Sequence, residues 1–254
     1  MDVSAYLDRI DFKGIPKIDK ATLFKLQSQH LLHVPFENLD IHYNRKIQLN
    51  LEGFFEKIVT QKRGGFCYEL NGLFAQLLIQ LGFEVRMISA RVHVSNETYG
   101  PEFDHMALLV DLNDSTFLCD VGFGAFTQHP LKFVVDDEQH DPSGTFCIDR
   151  YDEIYYRVLQ LEHGEKSPQY LFTTKPYKLA DFEGMCHYHQ TSPKSHFRQK
   201  KVVSKVTKKG RITLNDTRLK ITRKGISEET NFEPHDFETY LKHYFGMALQ
   251  TQNE

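Results

Sequence analysis

The chain has 254 residues, 40% of them hydrophobic and 26% charged, a mix that can bury a sizeable core and excludes disordered, collagen-like and mucin-like chains. Its formal net charge of −3 gives no overall positive field, so neither nucleic acid nor a membrane is expected as a partner. Cys67, Cys119, Cys147 and Cys186 are too widely spaced for a CxxC pair, which argues against a zinc ribbon or a thioredoxin-like couple and for reduced thiols.

In chain order, the first stretch, MDVSAYLDRIDF, shows neither a basic start followed by an apolar run nor a small-residue cleavage site, so a cytoplasmic location is expected. Asp19 can cap a helix carrying Leu23, Phe24, Leu26, Leu31 and Leu32 up to Pro35. Asn50 can cap a second, with Phe54, Phe55, Ile58 and Val59 on one side and Gly64-Gly65 at its end. A third, the most clearly amphipathic, runs through Leu70, Leu73, Phe74, Leu77, Leu78 and Leu81 to Gly82, with Cys67 at its start.

From Glu84 the runs become β-rich: 84–94, 105–112, 116–123, 131–135, 154–161, 211–214 and 218–222. Asn113-Asp114 and Asn215-Asp216 read as hairpin turns, HDPSG at 140–144 as a loop, and 235–249 as helix again. Many short antiparallel strands suggest a barrel or a sandwich. The chain thus divides into a helical part at 1–83, a β part at 84–190 and a mixed tail at 191–254, an α+β protein.

A cysteine at a helix start meets unpaired N–H groups and the positive end of the helix dipole, both of which favour a thiolate. Gly64-Gly65 before it removes bulk, so that a substrate carbonyl can approach the sulfur. An isolated cysteine is more often a buried, inert thiol, so Cys67 needs a base. If Asn113-Asp114 is a two-residue loop, Leu112 faces Ser115 and His105 faces Gly122. Asp120 then lies diagonally from His105 on the same face, with Cβ atoms about 7 Å apart. Such a pair fixes the imidazole and completes a nucleophile, base and orienter. Spacing alone does not bring Cys67 to the pair. Cys119 points to the other face and, like Cys147 and Cys186, reads as an incidental thiol. His187 and His189 have a spacing that suits a metal on a strand, but no acidic or Cys cluster accompanies them. The VGFG turn at 121–124 has amides that could face an anion, and the basic stretch 200–224 reads as a solvated hairpin face.

VPFENLDIH at 34–42, RGGFCYELNGLF at 63–74, FDHMALLV at 103–110, CDVGFG at 119–124 and TSPKSHF at 191–197 together resemble the arylamine N-acetyltransferases over most of the chain. The resemblance implies an N-terminal helical bundle, a central antiparallel β-barrel and a C-terminal α/β lid around a cysteine-proteinase-like core. It makes Cys67, His105 and Asp120 the catalytic residues of a ping-pong transfer from acetyl-CoA, as co-substrate, to an arylamine, arylhydrazine or N-hydroxyarylamine, without a metal. Phe36, Val92 and Phe123 are then the expected acceptor walls, and Gly124, Tyr188, Thr191, Ser192 and Ser195 the expected contacts to CoA. Arg63, Glu69 and Asn71 are expected to hold the nucleophile's turn. The competing readings are a thiol hydrolase of the transglutaminase or papain-like kind, which uses Cys, His and Asp or Asn in the same chain order, and a non-catalytic binding protein with Cys67 as a packed thiol.

Overall fold

In a computed structural model, which describes residues 1–162 and 164–249, aspartates start the first two helices as their side chains dictate. Asp2 accepts the Ala5 N–H at 3.0 Å ahead of α1 (Val3–Arg9), and Asp19 accepts that of Thr22 at 2.7 Å ahead of α2 (Lys20–His33). Arg9 then ties helix ends together by donating to the carbonyls of His33, Ile58 and Arg63 at 2.7, 2.8 and 3.1 Å. A two-residue strand β1 (Phe36–Glu37) and a single turn α3 (Leu39–His42) follow.

Asn50 caps α4 (Leu51–Phe55) by accepting the Gly53 N–H at 2.7 Å, and the helix runs on into one π turn at Glu56–Thr60. The left-handed residue beyond it is Lys62, with φ of 54°, so Gly64-Gly65 does not serve as the helix stop expected from the sequence. Their smallness serves packing instead. A Cβ on Gly64 would lie 2.2 Å from the Pro35 carbonyl oxygen, and Phe36 bridges Gly65 directly. The space beside Gly64 is thus filled by Pro35 and Glu37 of the chain itself. Helix α5 (Cys67–Gln80) starts two residues later.

The central sheet is an antiparallel barrel that nearly closes. Its strands are β2 (Glu84–Ser95), with the short β3 (Thr98–Tyr99) paired to its end, β4 (His105–Leu112), β5 (Ser115–Cys119), β6 (Leu131–Lys132), β7 (Gln139–Asp141), β8 (Gly144–Arg150), β9 (Tyr156–Glu162) and β10 (Glu165–Phe172). Neighbours run β6-β5-β4-β2-β10-β9-β8-β7, and closure comes from the Val135–Ile148 bridge and from Gln139, whose side chain bonds both backbone groups of Lys132. The HDPSG segment is a hairpin turn rather than an open loop, because Asp141 pairs with Gly144. Strand β4 is buried on both faces: Ala107 and Leu109 face the barrel interior, while Leu108, Val110 and Leu112 pack on α5 and its neighbours. That two-sided burial explains its almost unbroken apolar run.

After β10 the chain turns helical, in α6 (Glu183–Thr191) and the single turn α7 (His196–Gln199). His187 and His189 are therefore on a helix, not a strand, one exposed and one buried, and cannot face one metal together. A second sheet follows, β11 (Val202–Thr207), β12 (Gly210–Asn215), β13 (Arg218–Arg223) and β14 (Ile226–Asn231), with α8 (Phe237–Phe245) packed on it and closed by Gly246 at φ 67°. Its fifth strand is β1, paired with β11 through Phe36↔Ser204. The expected tail at 191–254 extends past the described residues at 250–254. Among the described residues no helix is long and apolar enough to cross a membrane.

Candidate active site

Cys67 is the first residue of α5 and is buried, 3% exposed. Phe66 before it offers no side-chain cap. Its N–H instead donates to Glu69 Oε2 at 2.8 Å, the oxygen that also takes Lys57 Nζ at 2.7 Å. Lys57 reaches Asp40 Oδ2 at 2.8 Å, and Arg63 binds Glu37 Oε1 and Asp40 Oδ1 at 2.6 and 2.7 Å. Burial pulls the Lys57 ammonium down, but Glu37, Glu69 and Asp40 outweigh it and raise it above its ordinary value. Arg63 and Glu69 thus hold the turn before Cys67 through this buried cluster.

His105 opens β4 and Asp120 follows the last residue of β5. The ladder runs in the register expected, Leu112↔Ser115 to Leu108↔Cys119, around the Asn113-Asp114 turn. It stops at Cys119, so Gly122 is not paired across from His105, yet His105 Nε2 lies 2.7 Å from Asp120 Oδ2, with both residues buried. Asp120 Oδ1 accepts the amides of Gly122 and Phe123 at 2.9 and 3.0 Å. The anion that the VGFG amides face is therefore the chain's own carboxylate. Tyr170 OH adds a bond to Oδ2 at 3.3 Å.

Asn71, one turn beyond Cys67, fastens α5 to this pair. Its Nδ2 donates to Met106 O at 2.6 Å and Asp120 Oδ1 at 3.0 Å, and its Oδ1 accepts the Val121 N–H at 3.0 Å. Gly122 completes the contact: a Cβ there would meet Asn71 Nδ2 at 2.7 Å and Cys67 Cα at 2.9 Å.

Cys67 and His105 line one cavity of about 550 Å³, together with Phe36, Val92 and Phe123 as its expected acceptor walls. Gly124, Tyr188 and Ser195 also reach it. Ser195 does so with its hydroxyl already engaged, near His189 Nδ1 at 3.1 Å and as the cap of α7. Thr191 and Ser192 do not line it. Thr191 Oγ1 donates to His187 O at 2.8 Å and Ser192 Oγ accepts the Lys194 N–H at 3.3 Å, because both sit where α6 ends and their hydroxyls satisfy local backbone. A larger polar hollow, about 740 Å³, lies beside Lys57 and Arg63 and includes neither Cys67 nor His105. Among the described residues no group of three or more His, Cys, Asp or Glu is placed to hold a metal ion.

Burial pushes the Cys67 thiol well up, and Cys186, Asp104 and Asp120 push the same way, against a smaller pull from the Tyr68 amide. The helix start is thus opposed by burial, in keeping with the expectation from sequence that Cys67 needs a base. With His105 Nε2–H donating to Asp120, Nδ1 keeps its lone pair, so the residue equipped to take the thiol proton is His105.

Three residues of this arrangement gave no signal in the sequence. Tyr170 and Gln27, whose Oε1 accepts the Asp120 N–H at 3.2 Å, come from distant elements with no motif of their own. Asp104, beside His189 Nε2 at 3.3 Å, lies inside the quoted stretch at 103–110 but carries no role there.

A sequence profile of the N-acetyltransferase family matches residues 19–254. The chain is 35% identical to an arylamine N-acetyltransferase of Mycolicibacterium smegmatis, over 92% of this chain and 86% of that one. It is 31% identical to arylamine N-acetyltransferase 1 of Homo sapiens, over 98% and 95% respectively. The solved M. smegmatis arylamine N-acetyltransferase superposes with a TM-score of 0.91 at 32% identity, covering 98% of this chain and 93% of that one.

Proposed function

This chain belongs to the arylamine N-acetyltransferase family, and from that premise we propose that it carries acetyl from acetyl-CoA to an aromatic nitrogen through a thioester on Cys67. The observation that carries the reading is a buried His105–Asp120 pair at 2.7 Å whose His105 lines the same apolar-walled cavity as Cys67.

In the first half-reaction the Cys67 thiol proton passes to His105 Nδ1, and the sulfur adds to the thioester carbonyl carbon. The bond from that carbon to the CoA sulfur breaks, and the departing thiolate takes the proton from the imidazolium. In the second, the amine nitrogen adds to the acetyl carbon on Cys67, His105 accepts the amine proton, and the carbon–Sγ bond breaks with the proton returning to sulfur. Exchange between thioesters is nearly balanced, whereas forming the amide runs downhill, so one transfer becomes two accessible steps. Asp120 keeps the imidazole oriented and stabilises its charged form. Phe36, Val92 and Phe123 offer flat apolar walls to an arylamine, arylhydrazine or N-hydroxyarylamine. Gly124, Tyr188 and Ser195 are the proposed contacts to acetyl-CoA. The proposal extends to a cytoplasmic enzyme that also acts on foreign aromatic amines, as the family resemblance implies.

Intact-mass spectrometry tests the reading. Acetyl-CoA alone is expected to leave a single acetyl group on the wild-type protein, an arylamine to remove it, and Cys67→Ser to take none. An acetyl that persists in Cys67→Ser, or that no amine discharges, refutes it.

A further inference from the structure

Arg211 on β12 lines the cavity shared by Cys67 and His105, and its surroundings differ from those of the chain's other enclosed arginines. Arg63, Arg86 and Arg157 each meet a carboxylate, Arg9 caps backbone carbonyls, and Arg91 donates to the Gly100 carbonyl and lies over the Tyr155 ring. Arg211 donates Nη1–H to Ser204 Oγ at 3.0 Å and enters no ion pair among the described residues. Burial pushes its guanidinium down to about 10, with no carboxylate pulling it back up, so it remains charged at neutral pH. An enclosed cation without a counter-ion is costly unless an anion arrives to meet it.

Its place in the cavity narrows the choice of anion. Ser204 stands opposite Phe36 in the β1–β11 ladder, and Phe36 bridges Gly65, two residues before Cys67. Ser204 is thus two strand spacings, about 10 Å, from the chain entering α5. An aromatic ring with an amine at one end and a charge at the other matches that short span. The phosphates of acetyl-CoA lie beyond the whole pantetheine arm from its thioester. Asp104, the nearby cavity acid, already has His189 beside it at 3.3 Å, and Lys194 on the cavity wall adds further positive charge.

Resting on the acetyl-transfer reading above, we propose that Arg211 is a specificity-determining residue for the acceptor, pairing its guanidinium with the carboxylate of an acidic arylamine whose ring lies along Phe36. The planar fork suits a carboxylate bidentately, which a lysine does not reproduce. The carboxylate stays ionised and takes no part in bond making.

The test compares 4-aminobenzoate with methyl 4-aminobenzoate, which share ring and nucleophile and differ in charge, on wild type, Arg211→Gln and Arg211→Lys with acetyl-CoA as donor. The ratio of kcat/KM for acid over ester is expected to fall about 10- to 100-fold in Arg211→Gln, mainly through KM for the acid, with partial recovery in Arg211→Lys. An unchanged ratio overturns the proposal. So does an equal loss on both acceptors with a raised KM for acetyl-CoA, which assigns Arg211 to the donor's phosphates. Calorimetric binding of 4-aminobenzoate to wild type and Arg211→Gln, expected to weaken by a similar factor, needs no turnover. Wild type that binds the acid through Arg211 but acetylates neither compound refutes the acetyl-transfer reading alone, and equal binding by both proteins refutes the role of Arg211.

Discussion

At the scale of single residues, the reactivity of Cys67 is a contest between burial and a base. Burial, Cys186 and two carboxylates drive the thiol up, so a sulfur left to itself would ionise only above the ordinary cysteine range. On the proposed mechanism a proton acceptor in the same cavity changes this, because the thiolate would then form as a pair with imidazolium held by Asp120. Alkylation by iodoacetamide separates the two effects. Wild-type Cys67 is expected to react near neutral pH, ahead of the other three cysteines, all free and buried. In His105→Gln the base is gone while the burial remains, so the rate should drop at neutral pH and keep rising as pH increases past the usual thiol range. Rate constants against pH, read by peptide mass spectrometry, check this. Identical profiles in the two proteins would mean that His105 does not govern the sulfur.

At the scale of elements, the site is a junction between α5 and the β4–β5 hairpin, and much of each was legible in the sequence. The leucine stripe marks α5, and the Asn113-Asp114 turn fixes the register of the hairpin that His105 opens and Asp120 follows. What brings the two elements together was not legible from spacing, because Asn71 and Gly122 act across a gap in sequence that no local pattern spans. The same reason hides the pairing of β1 with β11. Strand β10 was hidden differently: Pro168 and flanking charges break its pattern, and the ladder shifts register between Pro168 and Tyr170, where a proline can be tolerated. Gly122→Ala probes the junction directly. Its Cβ would press on Cys67 Cα and Asn71 Nδ2 within 3 Å, and overpacking of this kind costs about 1–3 kcal/mol. Because the pressure falls on the Cys67 backbone itself, acetylation of Cys67 is expected to slow more than tenfold, since small misplacements of reacting groups weigh heavily on rate. Single-turnover acetylation alongside thermal unfolding checks it, and an unslowed burst would show that the junction tolerates displacement.

At the scale of the whole molecule, the described residues form four apolar cores, between helices and barrel, inside the barrel, under α8, and a fourth that holds Cys67 with Phe66, Tyr68, Met106 and Phe182, and a buried charge cluster joins their elements. Lys57 follows α4, Asp40 lies in α3, Glu69 in α5, and Glu37 in β1 carries the link into the second sheet. Such a cluster is a poor source of net stability compared with apolar packing, but removing one member strands the charges that remain. Lys57→Met does this while nearly keeping volume. It leaves Glu69 without its cation and Arg63 alone against Glu37 and Asp40. The expected loss is about 3–5 kcal/mol, which for a chain of this size lowers Tm by roughly 10 °C. Acetylation should fail with it, because Glu69 also holds the Phe66 amide ahead of the nucleophile. Adding Glu69→Gln removes one stranded charge and keeps an acceptor for that amide, so the double variant is expected to regain part of the lost stability. Thermal unfolding of wild type, Lys57→Met and the double variant decides the matter: a single-variant loss below about 1 kcal/mol, or a double variant less stable than the single, would mean that these elements are held by apolar packing alone.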